Sequence, residues 1–140
     1  MSRIFKRELR YTRESITKVS SDVAAWLDAE EIPAPAALLA RLAIDELLTN
    51  VVKYGYDDDS REHAIEVECI AGDDEFEVRV VDDGREFNPL EFVVSDLGAA
   101  IEDREIGGLG LHLLRRMSDR FTYERREGRN YMALVKVHGA

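Results

Sequence analysis

The polar and apolar positions set Ile4, Lys6, Glu8 and Arg10 against Phe5, Arg7, Leu9 and Tyr11, the period of two that predicts a strand at or near a sheet edge. From Arg13 to Ala29 the period changes. Ile16, Val19, Val23, Trp26 and Leu27 recur at helical spacing with no proline among them, which predicts an amphipathic helix with Trp26 in its packed stripe. Ile32-Pro33-Ala34-Pro35 breaks that helix, and Pro35 suits the first turn of the next, where a missing N–H costs nothing. This second helix is predicted to run to about Tyr54 and to end at Gly55. Arg41, Asp45, Thr49 and Lys53 form its polar stripe and Ile44, Leu47, Leu48 and Val51 its apolar arc, with Glu46 and Asn50 on the border.

Ala64 to Ala71 and Phe76 to Val81 alternate again around Gly72-Asp73-Asp74, predicting an antiparallel hairpin that ends on Asp82-Asp83-Gly84. Residues 85 to 106 have no sustained period, which predicts a long loop of the lid or binding kind with a helical turn near Asp96 to Glu102. Leu109 to Met117 has the pattern of a helix opened by glycines. Phe121 to Tyr123 and Tyr131 to Val137 form a closing hairpin across Glu127-Gly128-Arg129-Asn130. The order β-α-α-β-β-loop-α-β-β predicts an α+β two-layer sandwich, with helices on one face of a mixed, mostly antiparallel sheet.

Composition narrows the class. With 140 residues and 45% hydrophobic content, a single domain can bury a sufficient core. The charged N-terminus lacks a signal-peptide core and no uncharged run approaches a membrane span, so a soluble cytoplasmic protein is expected. The lone Cys69 sits in an alternating strand and is expected to be a buried small side chain. A net charge of −10 disfavours direct nucleic-acid binding. Residues 1 to 20 hold six Lys/Arg against two Glu and residues 111 to 140 seven against three acids, so the middle carries −18; such segregation suits steering of a protein partner. Asp57-Asp58-Asp59 lacks the ligand spacing and turn glycine of a calcium loop and is read as solvated.

Three stretches carry candidate chemistry. Glu46 and Asn50 lie four residues apart, hence one turn apart on one helix face, where they could hold a metal ion or a reacting group. Asp82 at a strand end offers an acceptor-only carboxylate suited to an exocyclic amine, and Gly84 lets a flat base approach the backbone. Gly107-Gly108-Leu109-Gly110 before a helix could offer amides to phosphate oxygens, or could simply permit close packing at a helix start. Neither a P-loop nor a dinucleotide fingerprint is present.

In that order, LAIDELLTNVVKYGY, VVDDGREFNP and GGLGLHLLRRMSD resemble the N, G1 and G2 boxes of the GHKL ATPases, the Bergerat-fold superfamily of gyrase, the heat-shock chaperone ATPase, MutL and histidine kinases. The short chain, the FNP and the ending GRNYMALVK are most similar to the anti-sigma factor serine/threonine kinases of bacterial partner-switching systems. The resemblance implies ATP and Mg²⁺ as cofactors, Glu46 as general base, Asn50 as the Mg²⁺ ligand and Asp82 as the adenine-amine acceptor supported by Gly84. It further implies that Gly107, Gly108, Leu109, Gly110 and Leu111 hold the phosphates, that Arg104 touches the terminal ones, and that Lys53 plays a modest electrostatic part near the nucleotide. The implied activity is serine phosphorylation of a STAS-domain antagonist together with sequestration of a sigma factor by a homodimer. Glu86 departs from the Gly-x-Gly form of the G1 box. None of His63, His112 or His138 has the context of a phosphorylated histidine, which argues against an autokinase, and no transducer segment like that of the topoisomerase or repair ATPases is recognisable. The alternative is a nucleotide-binding module that sequesters its partner without phosphotransfer.

Overall fold

The computed structural model describes residues 2–10, 12–51, 63–92 and 106–138. The elements are β1 (Arg3–Arg10), α1 (Arg13–Ala29), α2 (Ala34–Asn50), β2 (Ala64–Ala71), β3 (Glu75–Asp82), a 3-10 turn (Pro89–Phe92), α3 (Ile106–Met117), β4 (Arg120–Arg126) and β5 (Arg129–Val137). Their order is the predicted one. The strands form one sheet, β1-β2-β3-β5-β4, which places β1 at an edge as expected. Every neighbouring pair among the described strands is antiparallel, within the mostly antiparallel sheet that was predicted. Each pair is either a hairpin or a return of opposite direction, and no βαβ crossover occurs among the described residues to demand a parallel neighbour.

Local chemistry explains the boundaries. Thr12 caps α1, its Oγ1 accepting from the Ser15 amide at 3.0 Å. Pro35 sits in the first turn of α2. The β4–β5 hairpin turns through Glu127 and Gly128, with φ of 52° and 75°. Positive φ at both central residues matches the right-handed twist of the flanking strands, and glycine takes it without strain. The predicted extension of α2 beyond Val51 to Tyr54, and the helical turn near 96–102, lie outside the described residues.

The helices bury their stripes on one sheet face. Val19, Val23 and Leu27 of α1, Leu39, Ile44, Leu47 and Leu48 of α2, and Leu111 and Leu114 of α3 meet Ile65, Val67, Phe76, Val78, Val80 and Leu134 of the sheet. Trp26 packs its ring 5.9 Å from Phe5 and 6.5 Å from Phe76, a core role as predicted. Cys69 is buried, and burial, with Glu68 adding to it, pushes its thiol up to about 12, so it is an inert core residue. Leu48 is fully enclosed. Leu48→Ala is expected to lower stability by about 2–5 kcal/mol, measured by urea unfolding; a loss under about 1 kcal/mol would mean that α2 does not anchor the core.

One prediction shifts. The pattern predicted a helix from Leu109 opened by glycines, and glycine costs about 1 kcal/mol per helical position relative to alanine. The structure begins α3 at Ile106, with Gly107, Gly108 and Gly110 inside it. Tertiary packing outweighs propensity: Leu111 and Leu114 are in the core, and α3 lies against α2.

Candidate functional site

α2 presents Glu46 and Asn50 toward α3 and the end of β3. The apolar arc and polar stripe fall as predicted, with Ile44, Leu47, Leu48 and Val51 buried and Arg41, Asp45 and Thr49 exposed. Glu46 is half-buried, consistent with a border position, but Asn50 is only 3% exposed. The wheel of one helix cannot show that the ends of β3 and β5 close over its last turn. Asn50 borders a narrow crevice with Leu47, Asp82, Phe87, Asn130 and Met132.

Gly110 explains the meeting of α2 and α3. A Cβ at this position would coincide with the Glu46 carboxyl group, so the absence of a side chain is what lets that carboxylate lie against the α3 backbone. The close-packing reading of the glycines therefore holds at Gly110. A helix beginning at Ile106 leaves its first-turn amides, including those of Gly107 and Gly108, without intrahelical partners, whereas those of Gly110 and Leu111 belong to the ladder. The Leu111 side chain is in the core. Any amide donation to phosphate thus falls on the first turn rather than across the whole predicted stretch.

Asp82 closes β3 and is buried. Burial raises its pKa, opposed by hydrogen bonds from Asn130 and Gly84 and by the Arg125 charge, while neighbouring Asp83 adds to the rise. Both hydrogen bonds fall on one oxygen: Oδ1 accepts from the Gly84 amide at 2.8 Å and from Asn130 Nδ2 at 3.0 Å. Next to it, Asp83 Oδ1 lies 3.4 Å from Nδ1 of the buried His63, the residue before β2.

Asn130 was not singled out by the sequence, where it fell in the hairpin loop. It lies directly across from Asp82 in the β3–β5 pairing. Its amide is saturated: Nδ2 also donates to the Arg85 carbonyl at 2.8 Å, while Oδ1 accepts from Tyr123 Oη at 2.6 Å, Arg125 Nη1 at 3.2 Å and the Phe87 amide at 3.3 Å. Arg125 also donates to the Gly84 carbonyl at 2.7 Å. Only the non-consecutive neighbour relation of β3 and β5 reveals this cluster.

The residues fit a magnesium ion of the kind that takes few protein ligands. Both polar atoms of the Asn50 amide are buried without a hydrogen-bond partner among the described residues, and an amide oxygen is a hard donor. No group of three His, Cys, Asp or Glu side chains that could cage a metal occurs among the described residues. Magnesium commonly completes its shell with phosphate oxygens and water. Lys53 and Arg104 lie outside the described residues, and of Leu109 only the backbone is described.

A wider surface hollow lies elsewhere. It spans about 460 Å³ on the outer face of the sheet and is lined by charged side chains, among them Glu66, Glu68, Glu77 and Arg79. Arg79 pairs there with Glu68 at 3.5 Å and Glu77 at 3.1 Å, so the hollow is a solvated, ion-paired surface. The crevice at Asp82 has a free volume of about 10 Å³, that of about one water.

Residues 9–136 match the histidine kinase-like ATPase domain family. The chain belongs to that family. Membership in this ATPase family carries with it the use of ATP, and the antiparallel sheet covered by helices on one face is the α+β architecture expected of such an ATPase domain. The ATPase domain is similar to the serine/threonine-protein kinase BtrW of Bordetella bronchiseptica, 28% identical over 94 residues, 67% of this chain and 66% of that protein. It is also similar to the serine-protein kinases RsbW of Listeria monocytogenes. The serovar 1/2a protein is 35% identical over 83 residues, 56% of this chain and 52% of that protein. The serotype 4a protein is 35% identical over 85 residues, with the same shares. The chain spans less than two thirds of the length of these relatives. No helix among the described residues is long and apolar enough to cross a membrane.

Proposed function

We propose that residues 1–140 form one ATP-binding unit, a Mg-ATP-dependent protein serine kinase that phosphorylates a STAS-domain antagonist and also sequesters a sigma factor. In this reading it is a cytoplasmic homodimer acting in a partner switch. The observation that carries the proposal is the Glu46 carboxylate seated against Gly110. A carboxylate beside the helix whose first turn would receive phosphates repels them, and so weakens simple nucleotide binding. It is useful where a proton must be taken from an attacking hydroxyl.

In this mechanism Asp82 accepts the adenine amine, beside Gly84, and the first-turn amides at Gly107 and Gly108 receive phosphate oxygens. Asn50 holds Mg²⁺, which when bound neutralises phosphate charge. Glu46 takes the proton of the substrate serine as its oxygen bonds to the terminal phosphorus and the bond to the departing ADP oxygen breaks. On resemblance alone, Arg104 is assigned to the terminal phosphates and Lys53 to a modest electrostatic part near the nucleotide. The relatives named as serine kinases support this reading.

The test is incubation with labelled Mg-ATP and each STAS-domain protein of the same proteome. Phosphoserine on one of them is the expected result. ATP binding without any labelled partner would instead favour a module that sequesters its partner stoichiometrically.

A further inference from the structure

Asp82 has two oxygens, and the protein uses them unequally. Oδ1 receives the Gly84 amide and Asn130 Nδ2, and no hydrogen bond reaches Oδ2 among the described residues. The direction of the Asn130 amide is itself determined. Three donors, Tyr123 Oη, Arg125 Nη1 and the Phe87 amide, converge on its Oδ1, and the Arg85 carbonyl faces its Nδ2. Turning that amide over would set three donors against an NH₂ group and leave two acceptors facing a carbonyl oxygen, in a residue that is 1% exposed. The amide therefore has one orientation, with its donor aimed at Asp82.

We propose that Asn130, held in place by Tyr123 and Arg125, is a positioning residue that fixes the polarity of position 82 and so selects a 6-amino purine over a 6-oxo purine. The inference rests on the reading of Asp82 as the base acceptor. It goes further by assigning the selectivity to a buried network from β4 and β5 rather than to the carboxylate alone. A carboxylate accepts on either oxygen, so its own selectivity does not expose the network's part. An amide at position 82 does. In Asp82→Asn the oxygen must face Gly84 N and Asn130 Nδ2, since the opposite orientation places an NH₂ group against both donors. The crevice would then display a donor where it displayed an acceptor.

The experiment is calorimetric measurement of Mg-ATP and Mg-ITP affinities on the full chain, ITP carrying a 6-oxo group in place of the amine. The wild type is expected to prefer ATP. Asp82→Asn is expected to invert the preference, moving the ATP-to-ITP ratio by on the order of a hundredfold, since one hydrogen bond is lost for one base and another gained for the other. Asp82→Asn/Asn130→Leu is expected to shrink the inversion by about tenfold, because only the Gly84 amide then opposes the turned orientation of the amide at 82. Tyr123→Phe in the Asp82→Asn background, which removes one of the three donors and keeps the packing, is expected to shrink the inversion by about threefold.

Asp82→Asn that weakens ATP without favouring ITP would overturn the proposal, as would an inversion of undiminished size after loss of the Asn130 amide. That first outcome is read with Asn130 in place, so it stands even where Asn130→Leu does not fold. A wild-type protein that binds ATP and ITP alike would remove the reading of Asp82 as base acceptor along with this inference. Selectivity in the wild type without inversion in Asp82→Asn removes the inference alone.

Discussion

Glu46→Ala is expected to slow serine phosphorylation by about 10²–10⁴-fold, the usual contribution of a positioned general base, while ATP affinity changes by less than about tenfold. Three features set the direction. The residue lies on a regular turn of α2, where alanine is the best helix former, so the backbone that carries Asn50 is kept. The side chain ends against Gly110 and lies outside the apolar arc of Ile44, Leu47, Leu48 and Val51, so its loss leaves that arc intact. Removing a negative charge from the phosphate side relieves repulsion, so ATP affinity should hold or rise. Single-turnover transfer from labelled ATP, beside calorimetric ATP binding, separates the two quantities. Asp45 is the control. It is exposed and turned toward α1, 3.4 Å from Ser20 Oγ, and Asp45→Ala should transfer normally. Transfer that survives Glu46→Ala would place the base elsewhere; transfer lost equally in both variants would mean that the helix, not the carboxylate, is responsible.

Much of the frame was legible because it depends on local periods. α1 matched its predicted bounds, and the β2–β3 hairpin is centred where Gly72-Asp73-Asp74 placed it, with Gly72 N bonded to Glu75 O at 2.9 Å. Both are set by residues close in sequence. The features that escaped are set by residues far apart. Asn50 looked like a border residue because a wheel knows one helix, whereas its burial comes from Asp82, Phe87 and Asn130 of other elements. Asn130 looked like a loop residue because its importance lies in facing Asp82 across strands 48 positions apart in the chain. The start of α3 was placed late because the glycines were read as the opening of the helix rather than as its first turns, and only the contact with Glu46 shows why glycine at 110 is needed. Glu46, Asn50, Asp82 and Gly84 could be marked as candidates from residue type and spacing. Their burial and hydrogen-bond partners could not, since those depend on which strands become neighbours.

Gly110→Ala is expected to abolish transfer to the same degree as Glu46→Ala, about 10²–10⁴-fold, without unfolding the protein. Position 110 lies in the middle of α3 with ordinary helical backbone, so alanine has no conformational objection and gains about 1 kcal/mol of helix propensity. The atoms nearest the added methyl group are those of the Glu46 carboxyl group, the far end of a flexible side chain that can swing aside. Displacing it costs less than an overpacked core, for which about 1–3 kcal/mol is typical. The two effects oppose each other, and stability should stay within about 1 kcal/mol of the wild type by urea unfolding. Chemistry is the casualty, because a base displaced by even an ångström no longer meets the attacking hydroxyl. The double variant Glu46→Ala/Gly110→Ala makes the argument exact: its transfer rate should match either single variant, and its stability should exceed that of Gly110→Ala, since the clash is gone and the propensity gain remains. Independent losses that multiply in the double variant would show that Gly110 serves transfer by a route other than seating Glu46. A Gly110→Ala protein with wild-type transfer would show that the carboxylate does its work from another position, and would remove the observation on which the kinase reading rests.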